Sequence, residues 1–195
     1  MLRQSKRALR GAATAILLTL SPIYSAQAQD SSSSDVTYSV MNPGDFVWQP
    51  HAATTGAVEI VVSLPLQVAY VYRGGTLIGV STISSGAPGN ETPTGSFEIL
   101  QKRRVHHSNL YNNAPMPFMQ RLTWDGIALH AGEIPGRPAS HGCVRLPMAF
   151  ARHLFEVTRL GASVHILNDS PGPEEAVAYL RGRPAGGGVQ LASGG

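Results

Sequence analysis

From Val58 onward, short runs of β-branched and aromatic residues alternate with clusters of Gly, Pro, Asn and Asp, a rhythm that predicts strands joined by turns. Val58 to Leu64 predicts the first strand. Leu66 to Tyr72 predicts a second, closed by the turn Arg73-Gly74-Gly75, and Leu77 to Ile83 a third, completing a hairpin or meander. Pro65, between the first two, implies an edge position or a bulge, because proline has no N–H for a sheet ladder. Gly86 to Gly95 reads as a long turn-rich loop. Ser96 to Gln101 then returns as a strand with Phe97 and Ile99 on one face.

Lys102 to Phe118 fits neither the helical nor the strand period. It mixes basic residues with His106-His107, Tyr111-Asn112-Asn113, Pro115 and Pro117. A long irregular excursion in a compact domain points to a functional loop or lid; a solvated crossover is the plainer reading. His106 and His107 are adjacent, so they share no face of a helix or strand and make a poor chelate. Met119 to Trp124 and Gly126 to His130 predict a hairpin about Asp125-Gly126, with His130 at the end of a strand. Pro147 opens a helix whose buried stripe is Phe150, Leu154 and Val157 and whose cap is Gly161. Val164 to Leu167 is a final strand. A short helix, Glu174 to Leu180, precedes a Gly-rich tail with little capacity to form a core. The fold class expected is mainly β with a short helix.

Upstream of Val58 the pattern changes. Arg3, Lys6, Arg7 and Arg10 precede an apolar run from Gly11 to Leu20, a break at Ser21-Pro22, and Ala26-Gln27-Ala28 ahead of Gln29. This is the layout of a cleaved secretory signal, and the run falls short of the about 20 apolar residues of a membrane span. No cysteine stands at the cleavage site behind the run, which argues against lipoprotein anchoring. The domains expected are a signal peptide over 1–28, a polar linker over 29–57, a folded domain over 58–168, and a flexible tail with a short helix over 169–195. Phe46-Val47-Trp48 gives the linker an end able to dock on the domain. The formal net charge of +3 does not mark a nucleic-acid binder. Four of the 15 Lys and Arg residues lie in the first ten positions; without them 11 basic residues face 12 acidic ones, a net of −1. A mature chain so close to neutral has no electrostatic footprint for a polyanion and, after cleavage, no stable membrane span.

Export makes the cysteine count informative. Cys143 is the only cysteine, and an odd thiol in an oxidising compartment is a liability unless it is buried and inert or chemically used. Its surroundings favour use. It lies in Ser140-His141-Gly142-Cys143-Val144-Arg145-Leu146-Pro147, downstream of His130 in Leu129-His130-Ala131-Gly132. A thiol nucleophile needs a base within reach and backbone N–H groups for the developing oxyanion. His130, borne on a separate strand, suits the base better than His141, which belongs to the loop presenting the thiol. Gly142 and Cys143 supply the oxyanion amides, since glycine lets the chain turn tightly. No Asp or Asn stands beside either histidine, which leaves a backbone carbonyl, such as that of Ala131, to orient the imidazole. The competing chemistry is zinc held by His130, His141 and Cys143. The single residue between His141 and Cys143 departs from the usual two-to-four spacing of ligands, so no metal and no other cofactor is expected.

The block Ser140-His141-Gly142-Cys143-Val144-Arg145 after Leu129-His130 resembles the active-site signature of the L,D-transpeptidases, the YkuD-type catalytic domain. The similarity runs from about Val58 to Leu167 and takes in Tyr70-Val71-Tyr72, Thr92 to Phe97, and Tyr111-Asn112-Asn113-Ala114-Pro115-Met116-Pro117. It implies a YkuD-like β-sandwich or barrel-like domain and acyl transfer on peptidoglycan stem peptides. Cys143 is then the nucleophile and His130 the base, with Ser140, His141 and Gly142 shaping the loop and oxyanion hole. Tyr111, Met116 and Arg145 are candidate substrate-binding residues, Arg145 being equally suited to fixing the loop. The acyl acceptor is another stem, a protein to be anchored to the wall, or water in an L,D-carboxypeptidase; a non-catalytic wall-binding module is the alternative of another class. A sortase-like site shares the order His, Cys, Arg but lacks the Ser-His-Gly-Cys block. The location implied is the periplasm or cell-wall space.

Overall fold

The structure, a computed structural model, describes residues 41–109 and 112–182. The signal segment, residues 29–40 of the linker, Tyr111 and the Gly-rich end therefore lie outside the described residues. The strands are β1 (Phe46–Trp48), β2 (Val58–Ser63), β3 (Val68–Arg73), β4 (Thr76–Thr82), β5 (Gly95–Glu98), β6 (Gln101–Arg103), β7 (Met119–Arg121), β8 (Ala128–Ala131), β9 (Val144–Leu146) and β10 (Ser163–Leu167). Two short helices, α1 (Met148–Val157) and α2 (Pro173–Arg181), and a 3-10 turn at Pro50–Ala52 complete the list. The strands form a six-stranded sheet, β1-β4-β3-β2-β10-β5, and a four-stranded sheet, β6-β7-β8-β9. Neither closes into a barrel.

Two adjoining glycines with positive φ, Gly74 (55°) and Gly75 (78°), make the tight β3–β4 hairpin. The runs of β2 and β3 are apolar at nearly every position, and both faces of these strands are buried. One face, with Ile60, Val62, Val71 and Ile78, packs in a single cluster with Leu129, Val144 and Leu146 of the second sheet and Phe150 and Leu154 of α1. The other, with Val61, Tyr70, Tyr72 and Val80, packs against Ala176, Val177 and Leu180 of α2. The Tyr70 and Tyr72 hydroxyls donate to the carbonyls of Pro171 and Pro173 at 3.1 and 2.6 Å. The short helix expected after Asp169 thus covers a second core rather than standing in a flexible tail.

Several local expectations change. Pro65 marks neither an edge nor a bulge: β2 lies inside the sheet, and Pro65 sits in the turn to β3, where Gln67 takes a φ of 51°. Phe46–Trp48, within the stretch read as linker, pairs with β4 as an edge strand, and Trp48 stacks on His153 and meets Phe150 edge-on. The strand expected over Ser96–Gln101 divides in two. β5 stays in the larger sheet, and after Ile99 and Leu100 the chain enters the smaller one as β6. Gly161 does not cap α1. The helix closes at Thr158, whose N–H bonds the Leu154 carbonyl, while Lys102 Nζ donates to the carbonyls of Phe155 and Thr158 at 2.7 and 2.6 Å. A lysine there meets both the orphan carbonyls and the negative end of the helix dipole.

The excursion after β6 is more regular than its composition. Phe118, Met116 and Ser108 donate their N–H groups to Arg104, His106 and Ala114 at 2.8–2.9 Å, continuing the register of the β6–β7 ladder. In an antiparallel pair only alternate residues turn their N–H toward the partner. Pro115 and Pro117 occupy the other positions, so neither deprives this ladder of a donor. The chain reverses near Asn112 and Asn113, both at positive φ (46° and 54°). The result is a two-stranded arm.

Candidate active site

β8 and β9 run parallel and adjacent, with His130 opposite Arg145. Cys143 immediately precedes β9, so the thiol and the imidazole come from neighbouring strands. The loop that presents Cys143 is tied down residue by residue. Gly142 takes a φ of +110°, which calls for glycine, and a Cβ there would also press on the tip of Ile127 at 2.9 Å. The Ser140 hydroxyl donates to the Cys143 carbonyl at 2.5 Å and accepts the Gly142 N–H at 3.1 Å. The buried Thr92 hydroxyl accepts the Gly86 N–H and donates to the Gly142 carbonyl, both at 2.8 Å. Ser84 and Arg145 exchange backbone hydrogen bonds at 3.1 and 2.9 Å. The turn-rich loop after β4 is thereby the bed on which the cysteine loop rests.

His130 is 7% exposed. Its Nδ1–H donates to its neighbour, the Ala131 carbonyl, at 2.8 Å, which leaves Nε2 as the nitrogen with a free lone pair. Burial lowers its pKa to about 4; the Arg145 guanidinium and His106 act in the same sense, against the opposing pull of the Ala131 bond. The imidazole is therefore neutral near pH 7. Cys143 is half-buried in a small cluster with Met116, Met119 and Ala128, and its thiol donates to the Gly126 carbonyl at 3.4 Å. Burial pushes that thiol above its ordinary range, although the Ala128 amide and the charges of Arg145 and Arg121 work against it. The two groups rest as thiol and neutral imidazole.

Both line a cleft of about 380 Å³. The arm provides one wall through His106, Ser108, Pro115 and Met116; the β7–β8 hairpin provides Arg121 and Gly126, and the loop after β8 provides Gly132 and Glu133. His141 is exposed at the rim and Met116 is buried against the thiol cluster. Arg145 reaches the cleft with its stem laid on Gly132, where a Cβ would lie 3.0 Å from its Cγ and Cδ. The Gly142 amide, expected as an oxyanion donor, is already engaged by Ser140 Oγ. His130, His141 and Cys143 do not group as a metal-holding set among the described residues. Thr92, Arg121 and Gly126 were not among the site residues expected. Thr92 sits in a loop without periodicity, where the Thr-Pro-Thr-Gly turn was the available signal; Gly126 read only as a turn residue, and Arg121 carries no motif.

Residues 57–166, more than half of the chain, match the sequence profile of the YkuD family, the L,D-transpeptidase catalytic domain. Among solved structures, the L,D-transpeptidase (Yku) from Stackebrandtia nassauensis is 28% identical with a TM-score of 0.54, over 62% of this chain and 59% of that one. The L,D-transpeptidase from Xylanimonas cellulosilytica is 25% identical with a TM-score of 0.52, over 58% and 61%. An L,D-transpeptidase from Mycobacterium tuberculosis H37Rv shares the fold at 24% identity and a TM-score of 0.54, over 57% of each chain. The chain thus spans less than two thirds of the length of these relatives. No curated protein sequence matches it.

Proposed function

The chain belongs to the YkuD family of L,D-transpeptidase catalytic domains, and from that membership together with the cleft we propose that it is an exported cysteine acyltransferase acting on peptidoglycan stem peptides in the periplasm or cell-wall space. The observation that carries the reading is the delivery of His130 and Cys143, from adjacent parallel strands, into one cleft of the matched domain.

The donor is a tetrapeptide stem whose third residue is a diamino acid and whose last is D-alanine. His130 Nε2 takes the thiol proton as Cys143 Sγ attacks the carbonyl at the L-centre of the third residue. The oxyanion is met by the Cys143 amide, and by the Gly142 amide once it exchanges Ser140 Oγ for the charged and stronger acceptor. The intermediate collapses as His130 returns the proton to the leaving nitrogen, releasing D-alanine and leaving a thioester. An acceptor amine then attacks the thioester and gives up its proton to His130. The new amide forms as the C–S bond breaks and the thiol is reprotonated. Ala131 fixes the imidazole through its carbonyl throughout. Ser140 and His141 shape the loop, Met116 lies beside the scissile segment, and Arg145 meets a carboxylate of the donor.

Incubating the mature protein with tetrapeptide muropeptides and analysing products by mass spectrometry tests this directly. The wild type is expected to release D-alanine, and Cys143→Ala to lower the rate by at least about a thousandfold, as loss of a nucleophile does. No release by the wild type, or release undiminished in the variant, would overturn the assignment. Product masses with added stems, protein amines or water identify the acceptor.

A further inference from the structure

The chain has two tryptophans, and the fold uses them differently. Trp48 is packed against Phe150 and His153. Trp124 is 73% exposed and belongs to neither main core. Yet it is not on a slack loop. It stands at the tip of the β7–β8 hairpin, where the Thr123 hydroxyl accepts the Ile127 N–H at 3.0 Å. The Leu122 and Thr123 amides donate to the Ile127 carbonyl at 2.8 and 3.2 Å. The Arg121 guanidinium, itself part of the cleft wall, lies over the indole at 6.0 Å from the ring centroid. A rigid turn with a cation behind one face presents the other face to solvent.

The turn also fixes how far this indole stands from the chemistry. Gly126, two residues on, has its carbonyl oxygen 3.4 Å from Cys143 Sγ. Two Cα steps span at most about 7.6 Å and a carbonyl oxygen lies about 2.4 Å from its own Cα, so the Trp124 Cα is held within about 13 Å of the thiol. In the donor proposed above, the reacting carbonyl belongs to the third residue of the stem. Three extended residues cover about 10 Å back to the sugar that carries the stem. That sugar falls within the range the turn allows the indole.

We propose that Trp124 is a glycan-stacking subsite, on which the sugar at the head of the donor stem lays its C–H face while the stem peptide runs into the cleft. This rests on the acyl-transfer reading for the identity of the donor. The chemistry suits the surface: the ring face is electron-rich, and the axial C–H bonds of a hexosamine are its weakly positive complement. Arg121 orients the ring from behind. The subsite selects stems still attached to glycan over free peptides.

The test compares a disaccharide-tetrapeptide with the free tetrapeptide as donor, reading the ratio of kcat/KM for D-alanine release. The wild type is expected to prefer the glycan-linked donor by about tenfold, Trp124→Ala to lose that preference, and Trp124→Phe to keep part of it. A ratio near one in the wild type, or an equal ratio in wild type and Trp124→Ala, overturns the subsite. If the wild type releases D-alanine from neither donor, the acyl-transfer reading fails, and the subsite is judged by binding alone. Titration of the Cys143→Ala protein with chitotetraose should then shift the indole fluorescence, and the shift should vanish in Cys143→Ala/Trp124→Ala. No shift, or one that persists without Trp124, sinks the proposal.

Discussion

Burial of His130 and Cys143 in one cleft decides where the protons reside before any substrate arrives. An exposed thiol beside a charged imidazole would relax to an ion pair. Here desolvation penalises both charged forms at once, lowering the imidazole to about 4 and raising the thiol. The imidazole is thus ready to accept a proton at any pH above about 5, and the thiol has one to give. The sign of the pH dependence follows. The thiolate fraction grows as pH climbs toward and past the ordinary thiol value of 9.0, because the shift is upward. Carbamidomethylation of Cys143 by iodoacetamide should therefore accelerate by about tenfold per pH unit between about pH 6 and 9. A rate that levels off below pH 7 would reveal a resting thiolate–imidazolium pair instead. At this scale much was legible in advance. Cys143 and His130 announce themselves by residue type and spacing, Ala131 enters only because no Asp or Asn stands beside the histidines, and the structure sets all three around one cleft. Gly126 was invisible because its part is played by a backbone carbonyl, which no side-chain pattern encodes.

Elements that lack regular secondary structure do much of the positioning. The cysteine loop is held from below by the loop after β4, and the Thr92 side chain bonds both, through the Gly86 amide and the Gly142 carbonyl. Thr92→Val keeps the shape and removes the hydroxyl, leaving two backbone groups without that partner at a buried position. A loss of about 1–3 kcal/mol in urea unfolding is expected, together with slower acylation of Cys143 by tetrapeptide donors. An unchanged unfolding midpoint would show that the bridge is dispensable. The strands of the first meander were readable because their apolar runs end in turn residues. The arm was not. Its prolines break every periodic template, yet they sit at positions whose nitrogens the ladder does not use, a distinction that exists only once the partner strand is known.

For the molecule as a whole, the six-stranded sheet is buried on both sides, by the smaller sheet and α1 on one and by α2 on the other. From sequence alone the last 27 residues, 169–195, read as a flexible tail with one short helix, because they are poor in large apolar side chains. The core that α2 closes is supplied almost wholly by the sheet, with Ala176 as its one fully buried contribution. A chain ended at Asn168 should therefore melt at a lower temperature and bind a hydrophobic dye, since Val61, Tyr70 and Tyr72 would lose their cover. An unaltered melting temperature without dye binding would return α2 to the status of an appendage. The arm over the cleft carries a consequence of another kind. Because it prolongs the β6–β7 register, inward and outward positions alternate along it, and Met116 reaches the thiol cluster only in the present phase. One residue inserted in either limb would turn every position beyond it inside out. Within its limbs the cleft wall can grow or shrink only by matched pairs of residues, so odd changes of length in this protein are confined to the tip near Asn112.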